Sequence, residues 1–193
     1  MKYISFFLTL FFILSSCSNG RNDDQLLDEG NQLLEQQNYS EALNKFTKAV
    51  RKNKNKAEAF ALRGYCFYLL ENYPDAMSDY SKSLEINPNN QTALFGNAVI
   101  EWNLEKYSKS FSNINKVIEI NPLHEKAFYY RGRAFLYHGD TLLGLNDLNR
   151  AIEIDSCYLD AYYLLSSIMT TQKKFEKADE YLGYALKCVQ EKK

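Results

Sequence analysis

The sequence predicts an all-α fold of five tandem helical hairpins, and three observations predict it. A short motif returns every 34 residues along most of the chain. Small and bulky apolar residues return at the same interval, at fixed places within each unit. Gly and Pro are scarce, 8 and 3 among 193 residues, too few for a many-turned all-β protein. Hydrophobic residues make up 46% and charged ones 24%, which suits one domain with a sizeable core. The formal net charge of -1 supplies no basic field, so nucleic acid is not an expected partner.

The first element stands apart from the repeats. Lys2 gives a positive start, and Ile4 to Leu14 is an apolar run too short to span a bilayer, which takes about 20 residues. Leu14-Ser15-Ser16-Cys17 follows, and it resembles the lipobox of bacterial lipoproteins. The resemblance implies a signal peptide over residues 1–16, removal of that peptide and acylation of Cys17. Several acyl chains on one residue anchor stably, at about 0.8 kcal/mol per buried CH₂. Ser18 after the Cys implies, by the same analogy, the outer membrane rather than the inner. Residues 17–22 form a short linker whose reach is about 20 Å at about 3.5 Å per residue.

The repeats begin at residue 23. NYSEA at 38–42, NYPDA at 72–76, KYSKS at 106–110 and KFEKA at 174–178 are variants of one motif. EINP at 85–88 and 119–122 and EIDS at 153–156 keep the same spacing. Five units follow without a gap: 23–56, 57–90, 91–124, 125–158 and 159–192. Gly30, Gly64, Ala98, Gly132 and Ser166 hold the eighth position; Ala42, Ala76, Ser110, Gly144 and Ala178 hold the twentieth. Bulky residues fill the twenty-fourth: Phe46, Tyr80, Ile114, Leu148 and Leu182. Pro88 and Pro122 stand where a second helix must end.

This period and pattern resemble the tetratricopeptide repeat over nearly all of the chain after Cys17. The resemblance implies two antiparallel helices per unit, crossing closely at the eighth and twentieth positions and stacked into a right-handed α-solenoid. Two departures mark places where packing is expected to differ: Glu101 at an otherwise apolar eleventh position, and Thr141 in place of a ring at the seventeenth.

The seventh and twenty-third positions vary together: Glu29 with Lys45, Arg63 with Asp79, Asn97 with Asn113, Arg131 with Asp147, Leu165 with Tyr181. Sign, neutral polarity and apolarity change in step, so these residues are expected to meet within their own repeat. Arg63 and Arg131 are then structural and not ligand contacts. Of the four cysteines, Cys66 reads as a small core residue, while Cys157 and Cys188 lie at adjoining ends of the last hairpin, where a disulfide is conceivable.

Catalytic patterns are absent. His124 and His138 have no metal-ligand neighbour at helical spacing and read as surface residues, and no G-x-S-x-G, H-E-x-x-H or phosphate loop occurs. No enzyme activity, metal, cofactor or small-molecule substrate is expected. In the resembled family the first helices line a groove, which here presents Asn31, Tyr65, Tyr68, Phe95, Val99, Trp102, Lys126, Tyr129, Arg133 and Tyr163. Tyr and Trp are rigid contact residues, and an extended peptide with an acidic group suits such a surface. The other reading of these aromatics is packing between repeats. The family's chaperone-binding carboxylate clamp is not supported, because only Asn31 and Lys126 fall near its positions. The last helix carries Tyr181, Tyr184 and Leu186, and no capping helix follows, so an outward apolar face is expected there. The expected function is a lipid-anchored adaptor that recruits protein partners to an envelope complex, similar in plan to lipoproteins of this repeat class that serve pilus secretins, outer-membrane assembly or cell-wall hydrolases. The alternative is a structural subunit of a stable homo-oligomer with no groove ligand.

Overall fold

The computed structural model describes residues 24–191. The expected signal peptide 1–16, acylated Cys17 and linker 17–22 lie outside the described residues, as do positions 23 and 192 of the expected repeats. Helices account for all regular structure among the described residues. The first, α1, covers 24–35. The others are α2 (Tyr39–Lys52), α3 (Ala57–Leu69), α4 (Tyr73–Ile86), α5 (Gln91–Asn103), α6 (Tyr107–Ile120), α7 (Glu125–Tyr137), α8 (Thr141–Ile154), α9 (Leu159–Thr171) and α10 (Phe175–Glu191). The chain divides into two compact units, Met1–Gly96 and Asn97–Lys193, the division falling within α5.

Two kinds of turn alternate, and each keeps the period of 34. The turn inside a repeat is a Schellman motif. In the first, the Gln37 amide donates to Leu34 O (2.9 Å) and the Asn38 amide to Leu33 O (2.8 Å). The same two bonds recur at Glu71 and Asn72, Glu105 and Lys106, Gly139 and Asp140, and Lys173 and Lys174. Each motif needs one residue at positive φ. That residue is Gln37 (59°), Glu71 (61°), Glu105 (60°), Gly139 (86°) or Lys173 (59°). The turn inside the fourth repeat therefore forms the same bonds as the others despite Thr141, and differs by supplying Gly at the left-handed position.

The turn between repeats is an Asx turn. Asn53, Asn87, Asn121 and Asp155 each close the preceding helix through the backbone amide, to Ala49 O, Ser83 O, Val117 O and Ala151 O. Each then accepts, through its side-chain oxygen, the amide two residues on: Asn55 (3.0 Å), Asn89 (3.0 Å), Leu123 (3.0 Å) and Cys157 (2.9 Å). The EINP and EIDS motifs thus end helices through their Asn or Asp as well as through Pro.

The paired helices approach closely where small residues stand. A Cβ added at Gly132 would lie 3.0 Å from Gly144 O, and one added at Gly144 would lie 3.0 Å from Gly132 O. At Gly64 it would lie 3.1 Å from Ala76 O. Within the first unit, Leu27, Phe46, Ala49, Phe60 and Cys66 form a buried cluster. Within the second, Phe128, Leu148, Tyr162, Leu165, Met169 and Tyr181 form another. Cys66 is fully buried, and burial pushes its thiol up to about 12, so it stays unreactive.

Nothing lies within 4 Å of a Cβ built on Gly139, so the cost of a side chain there is conformational alone. Gly139→Ala is expected to lower unfolding stability by about 1 kcal/mol, and Glu105→Gly to raise it by about 0.5–1 kcal/mol. Urea midpoints at constant m-value test both; an unchanged midpoint for Gly139→Ala would overturn the conformational argument.

Candidate functional site

Within the second unit, α7 carries two arginines with different surroundings. Arg131 faces the second helix of its own repeat. Its Nε donates to Asp147 Oδ2 (2.7 Å) and its Nη2 to Asp147 Oδ1 (2.9 Å), while Nη1 donates to Asn115 Oδ1 (3.0 Å). The Phe128 and Phe135 rings flank the guanidinium at 5.3 and 5.9 Å. Arg63 in the first unit repeats the arrangement 68 residues earlier. It makes two 2.7 Å bonds to Asp79 and lies between Phe60 (5.5 Å) and Phe67 (6.0 Å). Glu29 and Lys45 meet at 2.5 Å. Asp79 and Asp147 are buried, so these forks are parts of the hairpin interior.

The third repeat solves the same place differently. Glu101 is buried on an unbroken α5 and accepts a bond from Asn113 Nδ2 (2.9 Å). Asn113 thus bonds Glu101, while Asn97 Oδ1 is buried with no hydrogen-bond partner. Burial raises the Glu101 carboxyl above its usual range, and the Asn113 bond opposes that. Leu165 and Tyr181 lie in one apolar cluster.

Arg133 lies two residues beyond Arg131, on another face of α7. Its guanidinium stands 5.6 Å from the Trp102 ring, 5.6 Å from Tyr129 and 5.5 Å from Tyr130. Among the described residues no carboxylate oxygen comes within 4.0 Å of it, nor of exposed Lys126 about two turns away. The rings around it interlock: Trp102 with Tyr107 (4.9 Å) and Tyr137 (5.9 Å), Tyr107 with Tyr137 (4.6 Å), and Tyr129 edge-on to Tyr158 (5.3 Å). Burial raises the Tyr129 phenol above its usual range against the pull of Arg133, and Asp160 is the acidic neighbour whose field reaches it. A guanidinium faced by rings and lacking a counter-ion can take an external carboxylate with both nitrogens.

The structure therefore brings Trp102, Tyr129 and Arg133 together, with Lys126 exposed nearby. Tyr163 is 48% exposed on α9, and Val99 is buried and offers no open surface. In the first unit Tyr65 and Tyr68 stack at 6.4 Å, with Tyr73 5.8 Å from Tyr68, and Asn31 and Phe95 are half-buried. Tyr107, Tyr130, Tyr137 and Tyr158 escape the sequence reading. The periodicity held one signal for them, since Tyr68–Tyr73 and Trp102–Tyr107 are one ring pair repeated after 34 residues.

His124 is not a plain surface residue. Its Nδ1 accepts the Ala127 amide (3.1 Å) at the start of α7, so it is a helix cap. His138 is exposed, its ring edge-on to Tyr137 at 5.5 Å. Cys157 and Cys188 are joined by a disulfide, with a Cα–Cα distance of 5.4 Å. Among the described residues no group of three or more His, Cys, Asp or Glu is placed to hold a metal ion, and no helix is long and apolar enough to cross a membrane.

A family profile described as a tetratricopeptide repeat matches residues 27–91. Comparison with curated protein sequences gives no match. Among solved structures, PilF of Pseudomonas aeruginosa aligns with a TM-score of 0.78 at 15% identity, over 89% of this chain and 78% of that one. PilW, described as a widely conserved type IV pilus biogenesis factor, gives 0.75 at 16%, over 87% and 78%. YrrB, described as a TPR protein with an unusual peptide-binding site, gives 0.61 at 21%, over 84% of each chain. The described chain has the tetratricopeptide-repeat (TPR) fold, all-α and built of helical hairpins, and its residues 27–91 match that family's profile.

Two outcomes test the division of roles. Arg131→Ala leaves the buried Asp147 carboxylate unpaired and is expected to cost about 2–3 kcal/mol of stability, whereas Arg133→Ala is expected to cost under about 1 kcal/mol. Chemical denaturation of both variants decides, and equal losses would refute the distinction. The second outcome concerns pH. Burial lowers the His124 pKa below 6.5 in the folded chain, so the unfolded chain binds the proton more readily. The cap's contribution is full above about 6.5 and is lost as pH falls through the lower folded value. Lowering pH from 7.5 to 5 should therefore remove about 1 kcal/mol more from the native chain than from His124→Asn, whose cap does not titrate. Identical pH profiles would refute it.

Proposed function

We propose that this TPR protein is a non-enzymatic adaptor that holds a protein partner by an extended, carboxylate-bearing segment. The observation that carries the reading is Arg133, ringed by Trp102, Tyr129 and Tyr130 and, among the described residues, left without a carboxylate partner. Fixed aromatic faces give contact area at small entropic cost, and the guanidinium gives polarity and register. Lys126 adds a second cation, while Tyr163 extends the aromatic character on α9. YrrB, whose description names a peptide-binding site, supports a peptide ligand for this fold.

The adaptor works at a membrane. Cys17 carries the acyl anchor that its lipobox-like surroundings imply, and the protein sits in a bacterial envelope, at the outer membrane and facing the periplasm. PilW, described as a pilus biogenesis factor, supports an envelope setting for a chain of this plan.

A photo-crosslinking residue at Tyr129 in the full chain is expected to capture one dominant envelope protein. Capture should drop by about tenfold or more with Arg133→Ala plus Lys126→Ala, equivalent to about 1.4 kcal/mol of binding, while Cys17→Ala should move the chain out of the membrane fraction. Undiminished capture after loss of both cations would sink the carboxylate reading, and a Cys17→Ala chain still in the membrane would sink the anchor.

A further inference from the structure

The turn that closes the first repeat differs from the later ones in charge and not in geometry. It reads Arg51-Lys52-Asn53-Lys54-Asn55-Lys56, where the next three repeats read EINPNN at 85–90, EINPLH at 119–124 and EIDSCY at 153–158. Lysine or arginine holds four of the six positions in the first repeat and none in the other three. All four turns nonetheless form the same bonds. Asn53 closes α2 through its amide and accepts the Asn55 amide at 3.0 Å, as Asn87, Asn121 and Asp155 do in their own turns. The fold therefore does not need these charges. The helix dipole does not explain them either, since α4, α6 and α8 end with Glu85, Glu119 and Glu153 at the place of Arg51.

The charges are gathered and open. Lys48, Arg51 and Lys52 are three and four residues apart on α2, so they share one face, and Lys54 follows in the turn; all four are exposed. Among the described residues no carboxylate oxygen lies within 4.0 Å of Lys48, Arg51 or Lys54. Asp28, one turn along α1, and Glu58, in the first turn of α3, are exposed acids of the same hairpin end, and the open cations outnumber them. Lys56 is engaged by Asp24 at the start of α1. That pair sets the basic turn beside the residue through which the chain enters the repeats. Asp24 is seven positions after Cys17, a reach of at most about 25 Å at about 3.5 Å per residue. The cation-rich turn is thus the one that an acylated Cys17 keeps near a bilayer.

We propose that this basic end of the first hairpin, Lys48, Arg51, Lys52 and Lys54, docks on the anionic phospholipid headgroups of the membrane that holds Cys17. The inference rests on the Cys17 anchor and is independent of the Arg133 site. The acyl chains supply attachment, and the turn supplies orientation, converting a loose tether into a fixed footing for the first unit. Each cation at an anionic surface favours the docked state about fivefold, so three contribute about a hundredfold. Salt screens the attraction.

The test uses the full lipidated chain in vesicles whose headgroups carry a fluorescence quencher, with a dye attached at Asn55→Cys. The native cysteines do not compete for dye, since Cys66 is buried, Cys157 and Cys188 are joined and Cys17 is acylated. Asn89→Cys, the exposed equivalent in the next turn, is the control. In phosphatidylcholine vesicles with an equal part of phosphatidylglycerol, the dye at 55 is expected to be quenched several-fold more than the dye at 89. High salt, or Arg51→Gln, Lys52→Gln and Lys54→Gln together, should return it to the level seen in phosphatidylcholine alone, with the chain still floating with the vesicles. Equal quenching at 55 in neutral and anionic vesicles, the result for a patch that serves an acidic protein, would overturn the docking and leave the anchor standing. Equal quenching at 55 and 89, or quenching that survives the triple substitution, would overturn it too. A chain that does not float with neutral vesicles would overturn the anchor and the docking together.

Discussion

The close approach of the two helices within a repeat is the constraint on which the other features depend. At Gly132 and Gly144 no Cβ intervenes between the backbones. In the third repeat the same crossing is closed by Ser110, whose hydroxyl donates to Ala98 O (2.8 Å). Only at this separation can the side chain one position before the crossing reach its partner across it. That is why Arg63 forks onto Asp79 and Arg131 onto Asp147 with so little solvent between them. A larger residue at either place would widen the hairpin and leave a buried carboxylate unmatched.

Register, not residue type, separates structure from recognition on α7. Arg131 is spent on the hairpin interior, where Asp147, Asn115 and two phenylalanines account for it. Arg133, turned about 200° around the helix by two residues, meets aromatic faces and, among the described residues, no acid. Two arginines two residues apart in a motif scan would look interchangeable, and their surroundings show otherwise.

Much of this was legible in the sequence because it repeats. The 34-residue period locates the hairpins, and covariation between seventh and twenty-third positions points to Arg63–Asp79 and Arg131–Asp147. Three things were not legible. The left-handed turn residue is Gln, Glu or Lys in four repeats, where stacking overrides intrinsic preference and hides the usual Gly signal. The third repeat pairs Asn113 with Glu101, a carboxylate one turn farther along α5 than the seventh position. His124 looked like a surface imidazole, since capping depends on a ring nitrogen meeting one particular amide. The rings around Arg133 come from two helices, α5 and α7, so no single stretch of sequence announces them.

A repeat array comes apart from its ends, because a terminal unit is held by one neighbour instead of two. The Cys157–Cys188 bond ties the start of α9 to the end of α10 across 31 residues, a constraint worth roughly 3–4 kcal/mol in the chain-entropy account. Fraying is thereby suppressed at one end only. The cross-linked hairpin is thus the one least free to open by itself, and reducing the thiols removes that advantage.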